Sequence, residues 1–221
     1  MYSLPSSCIR DVLLATGLTM IYLSGAYADG MLRKDLDLGF MLQPAIALPR
    51  ARLTELNCWA ADNGCFAKGE LFDLSKFYAW LDKVKYAQSN CLFAVAPDVL
   101  SNARATIERS TPVLIYLRKE GWKAAFVAQD GQELFDPDWD SFDCLFIGGS
   151  TEFKLGAGAA RLIQEAKEHE KWVHIGRVNS ASRGHYFLRL GADSADGTYL
   201  KFGPDKNWPA VESWTRKASF S

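Results

Sequence analysis

The sequence predicts one domain over residues 1–221, an α/β fold of the (β/α)8 barrel type, and three observations point that way. Eight short apolar runs lie near residues 20, 40, 57, 91, 124, 144, 172 and 192, in a repeated order of apolar run, polar or glycine tip, helix. Continuous apolar runs that alternate with helices imply parallel strands covered on both faces. At 221 residues and 48% hydrophobic, the chain is long enough to wrap eight such units around one core. Eight units favour a closed barrel over an open sheet. No G-x-G-x-x-G follows the first run, which weakens a dinucleotide-binding alternative.

Taken in order, residues 4–16 read as an opening helix with Ile9, Leu13 and Leu14 along one side. Residues 20–24 form the first strand, ended by Gly25. Charged residues 33–37 lead into Gly39-Phe40-Met41-Leu42, stopped by Pro44, and residues 49–56 can make a brief helix. Residues 57–61 are an apolar strand that runs into the turn signal Asp62-Asn63-Gly64. From Asp73, which with Ser75 is a candidate cap, Phe77, Leu81, Val84 and Gln88 recur at helical spacing, widened by Tyr78 and Trp80. Residues 91–96 are a buried strand ending in Pro97-Asp98. Ser101 is expected to cap a helix through Ile107, and Ser110 or Thr111 before Pro112 to start another that stops at Gly121. Strands at 124–128 and 144–147 precede Gln129-Asp130-Gly131 and Gly148-Gly149-Ser150. Helix 157–170 buries Ala159, Leu162, Ile163 and Ala166. Trp172-Val173 leads to His174, Ser180 caps a helix closing at Gly191, and residues 208–217 form a last helix.

The stretch 191–198 is a short strand bounded by glycines, expected to deliver both Asp193 and Asp196 to its carboxyl end. Three residues apart, they fall on opposite faces, so one can enter a pocket while the other holds structural partners.

Charge and cysteine content narrow the classes. The net charge of −1 carries no overall nucleic-acid signature, although residues 154–221 hold a balance of +4 and residues 1–153 one of −5. A mildly basic last third suits a phosphate-bearing partner, or is simply a solvated face. The five cysteines (Cys8, Cys58, Cys65, Cys91, Cys144) have no C-x-x-C spacing and the three histidines no H-x-x-x-H, so neither zinc nor a disulfide framework is expected. Buried reduced thiols are the default. The apolar run 12–23 is broken by Thr16, Gly17 and Thr19 and is too short for a bilayer, and nothing resembles a cleavable leader. A cytoplasmic protein without membrane contact is the expectation.

In such a barrel the carboxyl ends of all strands open on one face. The tips there are Asp62, Asp98, Gln129, Gly148-Gly149, residues 174–180 and Asp196. Each has a plain structural explanation: Asp62 as a turn residue, Asp98 as a helix cap, His174 as a core histidine. Together they offer carboxylates, an amide and glycine backbone. That set suits a flat nitrogen heterocycle, whose donors a carboxylate accepts and whose carbonyl an amide takes. A separate carboxylate can attack an anomeric carbon, as in retaining glycosyl transfer.

Five motifs now carry a resemblance: Ala61-Asp62-Asn63-Gly64-Cys65-Phe66, Pro97-Asp98, Val127-Ala128-Gln129-Asp130-Gly131, Phe146-Ile147-Gly148-Gly149 and Gly191-Ala192-Asp193-Ser194-Ala195-Asp196. In this order, over roughly residues 57–200, they resemble the tRNA-guanine transglycosylases and their relatives that insert 7-deazaguanines into DNA. Gly-Gly-Ser-Thr-Glu, Gly-Arg-Val-Asn-Ser and Asp-Ser-Ala-Asp-Gly-Thr bring the chain nearest the short DNA-modifying branch. The resemblance makes Asp196 the nucleophile on C1′ and Asp62 the second active-site carboxylate, handling protons. It gives Asp98 the purine-like edge, with Gln129 and the Gly148-Gly149 backbone completing recognition. His174, Arg177, Asn179 and Ser180 are added as substrate-facing candidates, the last three for phosphate or sugar. The chain lacks the Cys-X-Cys-X-X-Cys…His zinc module of the tRNA enzymes, which favours DNA as the polymer, with tRNA kept open.

The implied reaction is replacement of guanine by a free 7-deazaguanine base through a covalent aspartyl–sugar ester, needing no metal or redox cofactor. The target base must leave its stack to be reached. Two other readings stay open: a nucleoside N-glycosidase on the same barrel, and a non-catalytic binding subunit. So does the question of a homodimer or partner protein.

Overall fold

Eight parallel strands follow one another around a closed barrel in chain order, with β1 (Ile21–Ser24) also pairing β8 (Ser194–Gly197). Between them come β2 (Leu38–Leu42), β3 (Trp59–Ala61), β4 (Cys91–Val95), β5 (Ala124–Ala128), β6 (Cys144–Ile147) and β7 (Trp172–Ile175). This computed structural model describes residues 19–25, 37–44, 53, 54 and 56–215. The opening helix expected at 4–16, Cys8 and most of the brief helix at 49–56 lie outside the described residues; of that helix, Leu53 and Thr54 are helical.

Alternation along each strand builds two apolar layers. Leu23, Met41, Ala60, Phe93, Val95, Ala125 and Val127 fill the barrel interior. Tyr22, Phe40, Trp59, Ala61 and Ala94 face the surrounding helices instead. Burial on both faces is why these strands read as unbroken apolar runs. Cys58, Cys65, Cys91 and Cys144 are all buried, as small hydrophobes would be.

Helices α1 (Cys65–Lys68), α2 (Leu74–Val84), α3 (Ala103–Lys119), α4 (Thr151–Leu155), α5 (Ala157–Glu168), α6 (Ala181–Arg189) and α7 (Pro204–Thr215) connect or cover the strands. Asp73 caps α2, accepting from the amides of Ser75 and Lys76, and Phe77, Leu81 and Val84 are its buried stripe. The expected break before Pro112 does not occur. Residues 103–119 form one helix, capped by Asn102 rather than Ser101. Pro112 lies on the exposed side, where water can satisfy the carbonyl it leaves free. Val113, Leu114 and Leu117 meanwhile prolong the buried stripe begun by Ala103, Thr106 and Ser110. Apolar burial on that side outweighs the local break signal, each leucine contributing about 1.5–3 kcal/mol.

Ser180 caps α6 by accepting from the Arg183 amide at 3.4 Å. Gly184 lets α6 lie against α7, since a Cβ there would sit 2.5 Å from Trp214 Cε3. The two carboxylates expected together at the end of β8 are separated. Asp193 precedes the strand at its amino end, and only Asp196 reaches the carboxyl end. Among the described residues no helix is long and apolar enough to cross a membrane.

Candidate active site

The strands lift their following residues onto one rim, and that rim encloses a cleft with about 640 Å³ of empty volume, open to solvent. Asp62 after β3, Asp98 after β4, Gln129 after β5, Gly148 and Gly149 after β6, Arg177 after β7 and Asp196 in β8 all line it. Seven of the ten residues singled out in the sequence thus meet in one place.

Asp62 belongs to a turn locked by its neighbours. Its Oδ1 accepts from the Gly64 amide at 3.0 Å, while buried Asn63 accepts from the Cys65 amide and donates to the Val95 carbonyl. Burial raises the Asp62 carboxyl to about 6; the Gly64 amide opposes that, and the charges of Asp196 and Asp98 add to it. A carboxyl poised there can give or take a proton near neutral pH.

Asp98 is held by both oxygens. The Cys65 thiol donates to Oδ1 at 2.9 Å, and the Gln129 side-chain amide donates to Oδ2. Burial, and then the Asp98 charge, push the Cys65 thiol up to about 12, so it stays a donor. Gln129, itself buried, accepts from the Ser101 amide at 3.0 Å. Its carbonyl is therefore engaged by the protein, and what it offers a ligand is its amide nitrogen. Asp130 clips the next loop in place, accepting from the Ser150 amide at 2.9 Å and from the Ser150 hydroxyl. Gly149 follows at φ +72°, where a Cβ would also meet Asp130 Oδ2 at 2.7 Å, so no other residue fits this corner easily.

Arg177 adopts a left-handed backbone (φ 59°), uncommon for a non-glycine residue. That turn carries its amide to Asp196 Oδ1 at 3.2 Å, and its guanidinium to the Gly149 carbonyl at 2.7 Å. The guanidinium also lies 5.0 Å above the Phe66 ring. Beneath the loop, buried Lys154 donates to the Gly176 carbonyl at 2.7 Å. Burial, then the charge of Arg177, lower the Lys154 amine to about 8.

Three expected site residues do not line the cleft. His174 is fully buried behind Asp196, its Nε2 3.1 Å from Oδ1. Asn179 accepts from the Thr198 amide at 2.8 Å and so fastens the β7 loop to β8. Ser180 is the α6 cap. The left-handed step at Arg177 stands between that residue and Asn179 and Ser180, a backbone feature that residue types alone do not announce. Sequence reasoning also passed over Phe66 and Leu100, 62% and 56% exposed, which wall the cleft. Their signal was present: large apolar side chains directly after the polar tips. Among the described residues no three His, Cys, Asp or Glu side chains gather as a metal site.

No family model matches the sequence, and no curated protein does. Among solved structures, a 4-hydroxy-2-oxoglutarate aldolase from TTHB1 is similar at a TM-score of 0.52 and 13% identity, over 93% of this chain and 96% of that one. That likeness shows the barrel fold alone. An HpcH/HpaI aldolase from Desulfitobacterium hafniense DCB-2 matches at a TM-score of 0.43 and 10% identity, over 91% and 96% of the two chains. A likeness of that degree carries no argument about chemistry.

Proposed function

We propose that the protein is a base-exchanging transglycosylase that replaces guanine in DNA with a 7-deazaguanine through an aspartyl–sugar intermediate. One observation supports this most: three carboxylates in three different settings share a cleft with Gln129 and a two-glycine backbone. Asp98, braced on both oxygens, is suited to accept from the paired donors of a guanine-like edge. Asp62, poised near neutrality, is suited to proton transfer. Asp196, in the last strand, is suited to attack. By contrast, a Schiff-base aldol reaction needs a lysine amine at the substrate carbonyl, and among the described residues that line this cleft the basic side chain is Arg177.

In the reaction, a flipped deoxyguanosine places C1′ before Asp196. An Asp196 oxygen bonds to C1′ while the C1′–N9 bond breaks and its electron pair leaves with the base. The proton of Asp62 goes to the departing guanine. The incoming heterocycle returns a proton to Asp62, its nitrogen bonds to C1′, and Asp196 leaves as carboxylate. Two displacements retain configuration, and Asp62 ends as it began.

The test is incubation with labelled free guanine and either DNA or tRNA. Label entering DNA is expected. Label entering tRNA alone would move the substrate to RNA. Release of base without incorporation would identify an N-glycosidase, and binding without either a non-catalytic subunit.

A further inference from the structure

Behind Asp196 a chain of hydrogen bonds runs back into the barrel interior. The Trp172 indole donates to Ser194 Oγ at 2.8 Å, Ser194 Oγ lies 2.8 Å from His174 Nδ1, and His174 Nε2 lies 3.1 Å from Asp196 Oδ1. His174 and Ser194 are fully buried, on directly paired positions of β7 and β8. The rings of Phe93 and Phe146 hold the imidazole at centroid distances of 5.0 and 4.4 Å.

The donors in this chain set its direction. An indole N–H only donates, so Ser194 Oγ accepts there and has one proton left to give. Giving it to Nδ1 places the imidazole proton on Nε2, aimed at Asp196. The opposite tautomer would set a ring lone pair against a carboxylate oxygen. Oδ1 then carries two donors, His174 Nε2–H and the Arg177 amide at 3.2 Å. Among the described residues no hydrogen bond reaches Oδ2.

We infer that His174 is a positioning residue whose Ser194-fixed tautomer occupies Oδ1 of Asp196 and leaves Oδ2 as the oxygen that bonds to the sugar. The choice of sugar rests on the transglycosylase reading; the tautomer and the choice of oxygen rest on this geometry. A consequence follows for the ester. The Nε2–H bond is made to a charged carboxylate in the free enzyme but to a neutral ester carbonyl in the intermediate. Hydrogen bonds to charged groups are the stronger kind, so His174 favours release of Asp196 in the second displacement. Deleting the donor shifts the balance towards the ester by about tenfold.

The experiment compares wild type, His174→Phe and His174→Gln as full chains with a guanine-containing DNA oligonucleotide at fixed free guanine. The fraction of DNA held as denaturation-resistant adduct is read in each. Gln can accept from Ser194 through Oε1 and donate to Asp196 through Nε2. The expected result is more adduct and slower turnover in His174→Phe, with the wild-type balance restored in His174→Gln. A structural role alone would lower both quantities together in both variants, and that outcome overturns the inference. Nitrogen-15 spectra of wild-type His174 are the second readout, independent of activity and of any variant's folding. A proton on Nε2 is expected, and a proton on Nδ1 overturns the inference. If wild type labels no DNA at all, the transglycosylase reading fails, while the spectrum still decides the tautomer.

Discussion

Asp193 and Asp196, three residues apart, serve opposite ends of one strand. Asp193 accepts from the Val173 amide at 2.7 Å and from Lys167 Nζ at 2.9 and 2.7 Å, tying β7 and α5 to the amino end of β8. Asp196 looks into the cleft at the other end. Asp193→Asn should therefore lower stability by about 1–2 kcal/mol, part of it lost to solvent screening at this half-exposed pair. Denaturant melts measure that loss. Base exchange per folded molecule should stay unchanged; a fall in exchange at full stability would contradict the division of labour.

The Asp62 carboxyl, raised to about 6, gives a pH dependence of definite sign. If the protonated form starts the reaction, kcat/KM for exchange falls above pH 6 with one-proton dependence, and Asp62→Asn removes that limb. Folding is linked as well. Between pH 4 and 6 the folded state holds a proton that the unfolded chain has released, so this group's contribution to stability declines as pH rises. Asp62→Asn should gain stability relative to wild type over that window and stay level above it. Activity that climbs through pH 6 would assign Asp62 the opposite protonation state at the start.

Asp98→Ala leaves the Cys65 thiol and the Gln129 amide without their shared acceptor. Calorimetry with free guanine should show binding weaker by about 1–3 kcal/mol, with DNA affinity retained. Equal loss of both affinities would make Asp98 a structural brace for its loop.

Gly184→Ala places a methyl within 2.5 Å of the Trp214 ring, in a contact between two helices. Overpacking of this kind costs about 1–3 kcal/mol. A denaturant midpoint equal to wild type would show that α7 moves aside freely.

The strands were legible because each is buried on both sides, so that 124–128 and 144–147 stand out as unbroken apolar runs with the bounds later found. Strand tips follow from strand ends, which is how Asp62, Asp98, Gln129 and Asp196 could be grouped before any coordinates. Pro112 misled because Ser-Thr-Pro reads as a helix start, whereas in a continuing helix Pro112 is tolerated on the exposed side, and only the continuing buried stripe decides between them. His174 and Ser194 stand twenty residues apart, and their pairing depends on the β7–β8 register. The Cys65–Asp98 contact likewise needs two strand tips brought side by side. Arg177 was visible as a cation, while the left-handed turn that divides it from Asn179 and Ser180 was not.

The proposed reaction runs through a covalent bond between Asp196 and C1′ of the target sugar. Acid-quenched protein incubated with guanine-containing DNA, without an incoming base, can be digested and sequenced by mass spectrometry. The expected spectrum carries the sugar-linked adduct on Asp196, absent from Asp196→Asn protein that still folds. An adduct on Asp62, or one that survives in Asp196→Asn, would contradict the assignment of the nucleophile.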